Sequence, residues 1–243
     1  MSIKQFPGGV ITKSPTAPTT SSASGIWTLN EVTNYIKQGI WPSPPLVIGQ
    51  AFGGGFYAGQ ISTAGNGIAD YNLVVGPIST AQTTNQWKNA TTATAGADSD
   101  INGPQNTADM VADGNSTVYP CAHFCNDLST GGQTDWYMPA KNELEVCYFN
   151  LKPSTTANNT SSGINPNAVP ARAINYTSGN PAQTLASAFI ISTGAEAFAT
   201  PNYWSSTEYS AAYAWVQTFG DGFQSYYGKD NSRRVRAIRR VAV

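Results

Sequence analysis

The 243-residue chain reads as an α+β protein made of short antiparallel strands, two helices and long loops, preceded by an extended N-terminal arm. Three observations predict this class. Short apolar runs are bounded by Gly, Pro and Asn, as half-buried strands of antiparallel sheets are. Two central segments carry apolar residues at spacings of three and four, the period of a helix lying on a core. The opening tract is rich in Pro and hydroxyl residues and has no large apolar side chain, so it reads as a linker. The length allows one large domain with an appendage and a sizeable core.

The arm spans residues 1–45. Within it, Ser14-Pro15-Thr16-Ala17-Pro18-Thr19-Thr20-Ser21-Ser22-Ala23-Ser24 cannot bury enough surface to offset the entropy of ordering and is expected to be extended. Thr28 followed by Glu31 fits a capping box, Val32, Tyr35 and Ile36 follow at helical spacing, and Gly39 suits the stop. This gives a three-turn helix bracketed by Trp27 and Trp41. So short a helix is not stable alone and needs a partner surface. Either it packs on its own main domain, or Trp27, Val32, Tyr35, Ile36 and Trp41 form a peg that docks the protein onto a larger assembly.

Residues 46–243 read as one continuous domain. Leu46 to Phe52 and Phe56 to Ile61 bracket Gly53-Gly54-Gly55, a hairpin or bulge signal, and Tyr71 to Pro77 forms a third strand. Ser79 to Asn115 has little apolar content beyond Trp87, Ile101, Met110 and Val111, which predicts a long decorated loop with at most a helix turn. Helices are expected over Tyr119 to Leu128 and Asn142 to Leu151, the latter carrying Leu144, Cys147, Tyr148 and Leu151 on one face. Pro153 to Pro181 is polar and full of turn residues, and Phe189 to Thr193 is a strand candidate. Three short closing strands follow, around Tyr203-Trp204, Ala214-Trp215 and Arg233 to Val241.

Composition narrows the function. Charged residues make up only 11% of the chain, against about 25% in an ordinary soluble domain, so solubility rests on Ser, Thr, Asn, Gln and Gly. Such chains suit extracellular adhesins and viral surface proteins better than cytosolic enzymes. A net charge of -1 argues against nucleic-acid binding. Arg233, Arg234, Arg236, Arg239 and Arg240 are a local exception. They read either as a grip for phosphate or acidic glycan, or as strand positions alternating with Val and Ile and paired with carboxylates. No apolar run has the length of a membrane span or the character of a signal peptide, so a surface-type protein without a secretion signal points to a virus.

Cys121, Cys125 and Cys147 are odd in number and match no standard zinc spacing with His123, so they read as buried free thiols, with no metal expected. A calcium ion at Asp98, Asp100 and the Asn102-Gly103 turn is the weaker alternative. A single histidine rules out two-histidine metal motifs, and no Gly-x-Ser-x-Gly or phosphate loop is present. The carboxylates Asp135, Glu143, Glu145, Glu196, Glu208 and Asp221 leave a glycosidase as a minor alternative, although no spacing pairs two of them. No catalytic residue and no cofactor are expected.

The stretch Cys125-Asn126-Asp127-Leu128-Ser129-Thr130-Gly131-Gly132-Gln133-Thr134-Asp135-Trp136-Tyr137-Met138-Pro139-Ala140-Lys141-Asn142-Glu143-Leu144 carries the pattern C-x2-L-x2-GG-x2-DW-x-hydrophobic-P-x3-EL. With Asn102 to Thr107 upstream, and Tyr203 to Glu208, Ala214-Trp215 and Arg233 to Arg239 downstream, it resembles the DUF1566 family, the C-terminal domain type of the Legionella collagen-like adhesin. That resemblance implies a C-type lectin-like fold. The run Ser24 to Pro42 is similar to a segment common in tailed-phage structural proteins, which favours the docking peg.

Within this frame Asp135-Trp136 places an aromatic in the core while its carboxylate bonds nearby amides, Pro139 suits the first turn of the next helix, and Glu143 braces loop amides. Trp204 and Trp215 are expected to anchor the core. In lectin-like folds the ligand face comes from the long loop and the last strands. The binding residues expected here are Glu208, Tyr209, Tyr213, Asp221, Gln224, Tyr226 and Asp230. About half of Tyr209, Tyr213, Phe223, Tyr226 and Tyr227 should be exposed, with Phe223 and Tyr227 turned inward. The calcium-dependent sugar motifs of true C-type lectins are absent.

The functional expectation is a phage virion surface protein of tail-fibre or tail-tip type. It is assembled in the host cytoplasm, docks onto other virion proteins by its arm, and recognises a host-surface glycan or protein through the lectin-like domain. It is expected to form a homo-oligomer, a trimer by analogy with fibres, with no nucleic-acid partner and no membrane insertion. The alternative is a capsid or tail decoration protein without a receptor role.

Overall fold

The computed structural model describes residues 17–20, 22–41 and 45–243. The chain divides into two units, Met1–Leu46 and Val47–Val243. The expected linker from Ser14 to Ser24 lies partly outside the described residues.

In the first unit, helix α1 spans Leu29–Lys37. The Thr28 hydroxyl accepts the Glu31 amide at 3.3 Å, and the Glu31 carboxylate accepts the Thr28 amide at 2.8 Å, closing the expected capping box. Trp27 meets Tyr35 and Trp41 edge-on at 5.3 and 5.6 Å. Val32 is half-buried, while Ile26, Leu29 and Ile36 stay exposed. No residue of α1 is fully buried.

The second unit is α+β, with two sheets whose strands are mostly antiparallel. One has the order β1-β2-β3-β10, with β5 also on β2, from strands Ala51–Phe52, Gly55–Ile61, Tyr71–Val75, Ile238–Ala242 and Ala168–Val169. Gly53 and Gly54, with φ of +55° and +84°, make the tight turn that pairs Phe52 with Gly55. The run from Leu46 yields only the two-residue β1, because Gly49 at φ +79° turns the backbone before it.

The other sheet has the order β4-β9-β6-β7-β8, from Gln82–Gln86, Ser232–Arg236, Asn202–Glu208, Tyr213–Thr218 and Gln224–Gly228. The closing region therefore holds five strands rather than three. The Arg-rich run divides at Ala237, feeding β9 to one sheet and β10 to the other. Most pairs are antiparallel, but β6 and β9 meet in parallel through Tyr203 and Arg234.

Helix α2 is a single turn at Ile78–Ala81, and α3, α4 and α5 span Gly103–Asp113, Pro120–Asn126 and Lys141–Leu151. Strand β6 alternates between two cores. Tyr203 packs with Tyr148, Leu151, Phe198 and Phe219 on the α5 side, whereas Trp204 packs with Trp87, Met110, Cys121 and Trp136 on the side of α3 and α4. This is the two-fold alternation of a strand with both faces covered.

Several expectations need correction. Ser79 to Asn115 is not an unstructured loop, since it contains β4 and the eleven-residue α3. Its buried face is polar, with Asn106 and Thr107 satisfied by Ser99, Ser206, Gly103 and Met138, so hydrophobic periodicity does not reveal it. Phe189 to Thr193 is no strand: Ser187–Phe189 forms a 3-10 turn, and the Gly194 amide closes back on the Ile190 carbonyl at 2.7 Å. Pro139 lies before α5 rather than in its first turn.

The three cysteines are buried free thiols. His123 donates from Nε2 to the Gly114 carbonyl, 2.8 Å away, as a structural histidine does. Among the described residues no group of three His, Cys, Asp or Glu is placed to hold a metal ion. Asn102 instead caps α3, and Asp100 pairs with Lys141.

Candidate functional site

The site is built on the β7–β8 hairpin. Its register sets Tyr213 opposite Gly228, Trp215 opposite Tyr226 and Gln217 opposite Gln224, which places these side chains on one face. Ala214 and Val216 point the other way, into the core. Trp215 is therefore not the core anchor the sequence suggests: its strand parity is that of the outer face, and it is only half-buried. Trp204 does anchor the core, with no exposed surface.

Tyr209 leaves the end of β6 and stacks flat on Tyr226, with centroids 4.0 Å apart and planes 4° from parallel. The same ring meets Trp215 edge-on at 5.1 Å, and Tyr213 meets Tyr226 at 5.4 Å. Tyr209, Tyr213 and Tyr226 remain 48, 43 and 44% exposed. Each such ring pair contributes about 0.5–1.5 kcal/mol beyond area burial, which favours this arrangement of the cluster without a ligand. Phe223 and Tyr227 are also exposed, against expectation, and Tyr227 lies under the Arg233 guanidinium at 4.4 Å.

Beside the aromatic cluster lies a cleft of about 520 Å³. Its walls come from Trp215 and Gln224 on the hairpin, Lys141 at the start of α5, Asp100, and the segment from Ser161 to Asn175. The Lys141 ammonium sits 4.3 Å above the Trp215 ring and 3.2 Å from the Asp100 carboxylate. The loop edging this cleft is mainly the Pro153 to Pro181 segment, not the Ser79 to Asn115 segment the sequence pointed to. It holds its shape through a buried network: Glu145 accepts from Tyr176 at 2.6 Å and from Asn165 at 2.6 Å, and pairs with Arg172.

Three expected ligand residues do other work. Glu208 accepts the fully buried Lys229 ammonium at 2.6 Å and the Thr94 amide at 2.9 Å. A buried ammonium without an anion would be strongly destabilising, so this carboxylate is committed to the interior. Burial lowers the Lys229 pKa, and the Glu208 bond works against that shift. Asp221 accepts the Phe223 amide at 3.1 Å and shapes the β7–β8 turn, at the end of the hairpin away from Tyr213. Asp230 braces the β8–β9 turn through Asn231 and, by its carbonyl, Gln86. Tyr209, Tyr213 and Tyr226 are brought together, and Gln224 joins them at the cleft wall. Trp215 and Lys141 are the residues that sequence reasoning missed. The signal for Trp215 was present, since it shares parity with Tyr213 and alternates with the small, buried Ala214 and Val216.

The signature residues upstream form the frame. Glu143 is fully buried and accepts from Tyr137 at 2.6 Å, Arg240 at 2.8 Å, and the Ala140 and Gly103 amides at 2.8 and 3.2 Å. Asp135 takes Arg239 in a two-point pair at 2.6 and 2.8 Å rather than nearby amides, and Trp136 is buried. Gly131 approaches the Gly54 backbone so closely that an added Cβ would lie 2.0 Å from the carbonyl oxygen. The model of the Lcl C-terminal domain family matches residues 78–239. The chain belongs to the Lcl C-terminal domain family. No curated protein matches the chain.

Membership gives an adhesin-like domain, and the match spans every residue of the aromatic cluster. Three residues of the Arg run are framework in this Lcl C-terminal domain. Arg236, Arg239 and Arg240 pair with Glu196, Asp135 and Glu143. Burial lowers the Arg236 pKa to about 10, and the neighbouring Glu196 opposes that shift.

Proposed function

We propose that this protein is a surface-recognition protein of a phage particle, of tail-fibre or tail-tip type, whose C-type lectin-like domain binds a host-surface receptor through Tyr209, Tyr213, Trp215 and Tyr226. The observation that carries the reading is the exposed, mutually stacked aromatic cluster. Rigid aromatic rings with polar tips give wide contact area at low entropy cost. Membership of an adhesin-type family supports the same direction.

The arm supplies attachment to other virion proteins. Leu29 and Ile36 are 80 and 58% exposed on α1, a helix too short to persist without a partner surface. A trimer is the proposed assembly, on the analogy with fibres. A binding rather than catalytic role is supported by the placement of the carboxylates, since Asp135, Glu143, Glu145, Glu196 and Glu208 are all engaged by Arg or Lys.

The purified chain should adhere to host cells, and a Tyr209→Ala, Trp215→Ala, Tyr226→Ala variant should lose adherence while still unfolding cooperatively, at a thermal midpoint lowered by the ring pairs it removes. Deleting residues 1–45 should abolish incorporation into particles while leaving adherence intact. A protein that binds only particles lacking it, and never cells, would be a decoration protein instead.

A further inference from the structure

The same face also carries information about the chemistry of what it binds. We infer that the cleft between Trp215, Lys141, Asp100 and Gln224 takes a neutral saccharide, stacked on the aromatic cluster and read by its hydroxyl groups without a metal ion. This inference rests on the recognition reading above.

Ring chemistry is the first argument. The C–H faces of a pyranose are apolar while its rim is polar, and a platform of Tyr and Trp edged by amides, hydroxyls and a charge pair matches both. The cleft volume of about 520 Å³ lies within the range of about 300–1,000 Å³ typical of small-molecule sites. One wall is the half-buried Trp215 ring, over which the Lys141 ammonium sits at 4.3 Å, with the Tyr209 and Tyr226 rings adjoining it edge-on beside the cleft.

Charge is the second argument, and it separates neutral from acidic sugars. Among the described residues lining the cleft, Lys141 is the one cation, and Asp100 neutralises it at 3.2 Å. Arg172, close behind the same loop, is committed to Glu145, and Lys229 to Glu208. Arg233 lies over Tyr227, on the face of the hairpin opposite Trp215. A sulfate or uronate entering here would lose water without gaining an unpaired cation, and would meet the Asp100 carboxylate.

Hydrogen bonding is the third. The Asp100 carboxylate, 47% exposed, accepts from hydroxyls while the Lys141 ammonium donates to them, which orients a diol from two sides. The Gln224 side-chain Nε2 is shielded from solvent and lacks an acceptor, and its cross-strand neighbour Gln217 has an unpartnered Oε1. A donor and an acceptor set opposite each other on one face can satisfy one another, so the polar reading of a ligand rests on Asp100 and Lys141. Ser161 and Asn175 complete the polar rim.

The test uses the full chain against immobilised neutral oligosaccharides of gluco, galacto and manno configuration, with uronate-containing and sulfated oligosaccharides as the contrast. Neutral sugars should bind, with affinity unchanged by added salt or by a chelator. Trp215→Ala should weaken binding about tenfold or more, equivalent to about 1.4 kcal/mol. Lys141→Met and Gln224→Ala should each weaken it several-fold. Tyr209→Ala, on the exposed end of β6, serves as a second variant should Trp215→Ala fail to fold. Binding confined to acidic sugars and falling steeply with salt would overturn the inference, as would no binding to any neutral sugar. Periodate treatment of host cells separates the two levels. Adherence that survives it overturns the saccharide and leaves receptor recognition standing, whereas absence of adherence to untreated cells removes the recognition reading itself.

Discussion

Glu143 shows how much of this protein's polar chemistry is structural. Its two oxygens receive the Tyr137 hydroxyl, the Arg240 guanidinium and two backbone amides, all in the interior. Burial pushes its pKa up, while Arg240 and Tyr137 pull it back towards the ionised form. Removing one member of such a pair leaves an uncompensated buried charge. Glu143→Ala should therefore destabilise the domain by about 3–5 kcal/mol in denaturant titration, and Glu143→Ala with Arg240→Ala should cost less than the two single changes summed. Its role as a brace was legible, because a Glu near the start of a helix reaches back to free amides. The fate of Glu208 was not: nothing in the sequence near Glu208 shows that Lys229 would be buried against it. Trp215 was misplaced for a related reason. Its size argued for burial, but strand parity, set by small Ala214 and Val216, decided its face.

Among the elements, those with apolar periodicity were legible and those held by polar contacts were not. Helices α4 and α5 fall within a residue or two of their expected bounds, and α1 starts at its expected cap. Helix α3 escaped because its buried side is Asn106 and Thr107, although Asn102 as cap and Pro104 in the first turn were visible signals. The two turns Gly53-Gly54 and Gly131-Gly132 meet each other, a long-range contact no local reading supplies. Gly131 has φ +59°, and its Cβ would lie 2.0 Å from the Gly54 carbonyl oxygen. Gly131→Ala should thus cost more than the about 1 kcal/mol of the left-handed backbone alone, read as a lowered thermal midpoint. Gly132→Ala, with positive φ but open space around it, should cost only the backbone part.

At the scale of the whole molecule, a family domain carries an exposed aromatic face on a framework held by ion pairs. The Arg-rich run, the DW pair and Glu143 tie the sheets together, while the β7–β8 hairpin presents its aromatic face outward. The α+β class was readable, and so was the crowding of aromatics on the closing strands. The cleft was not, because Lys141, Asp100 and Gln224 come from three distant segments brought together by long-range contacts such as the Asn142 amide on the Asp100 carbonyl at 2.8 Å and the Gln224 amide on the Ser162 hydroxyl at 3.0 Å. The central claim is that this hairpin face is the receptor surface. Hydroxyl-radical footprinting of the full chain, free and bound to host cells, tests it most directly. Tyr209, Tyr213, Trp215 and Tyr226 should be protected on binding while Phe149 and Leu185, on a separate groove, stay reactive. Protection at Leu185 with unchanged reactivity at Tyr209 and Tyr226 would contradict it.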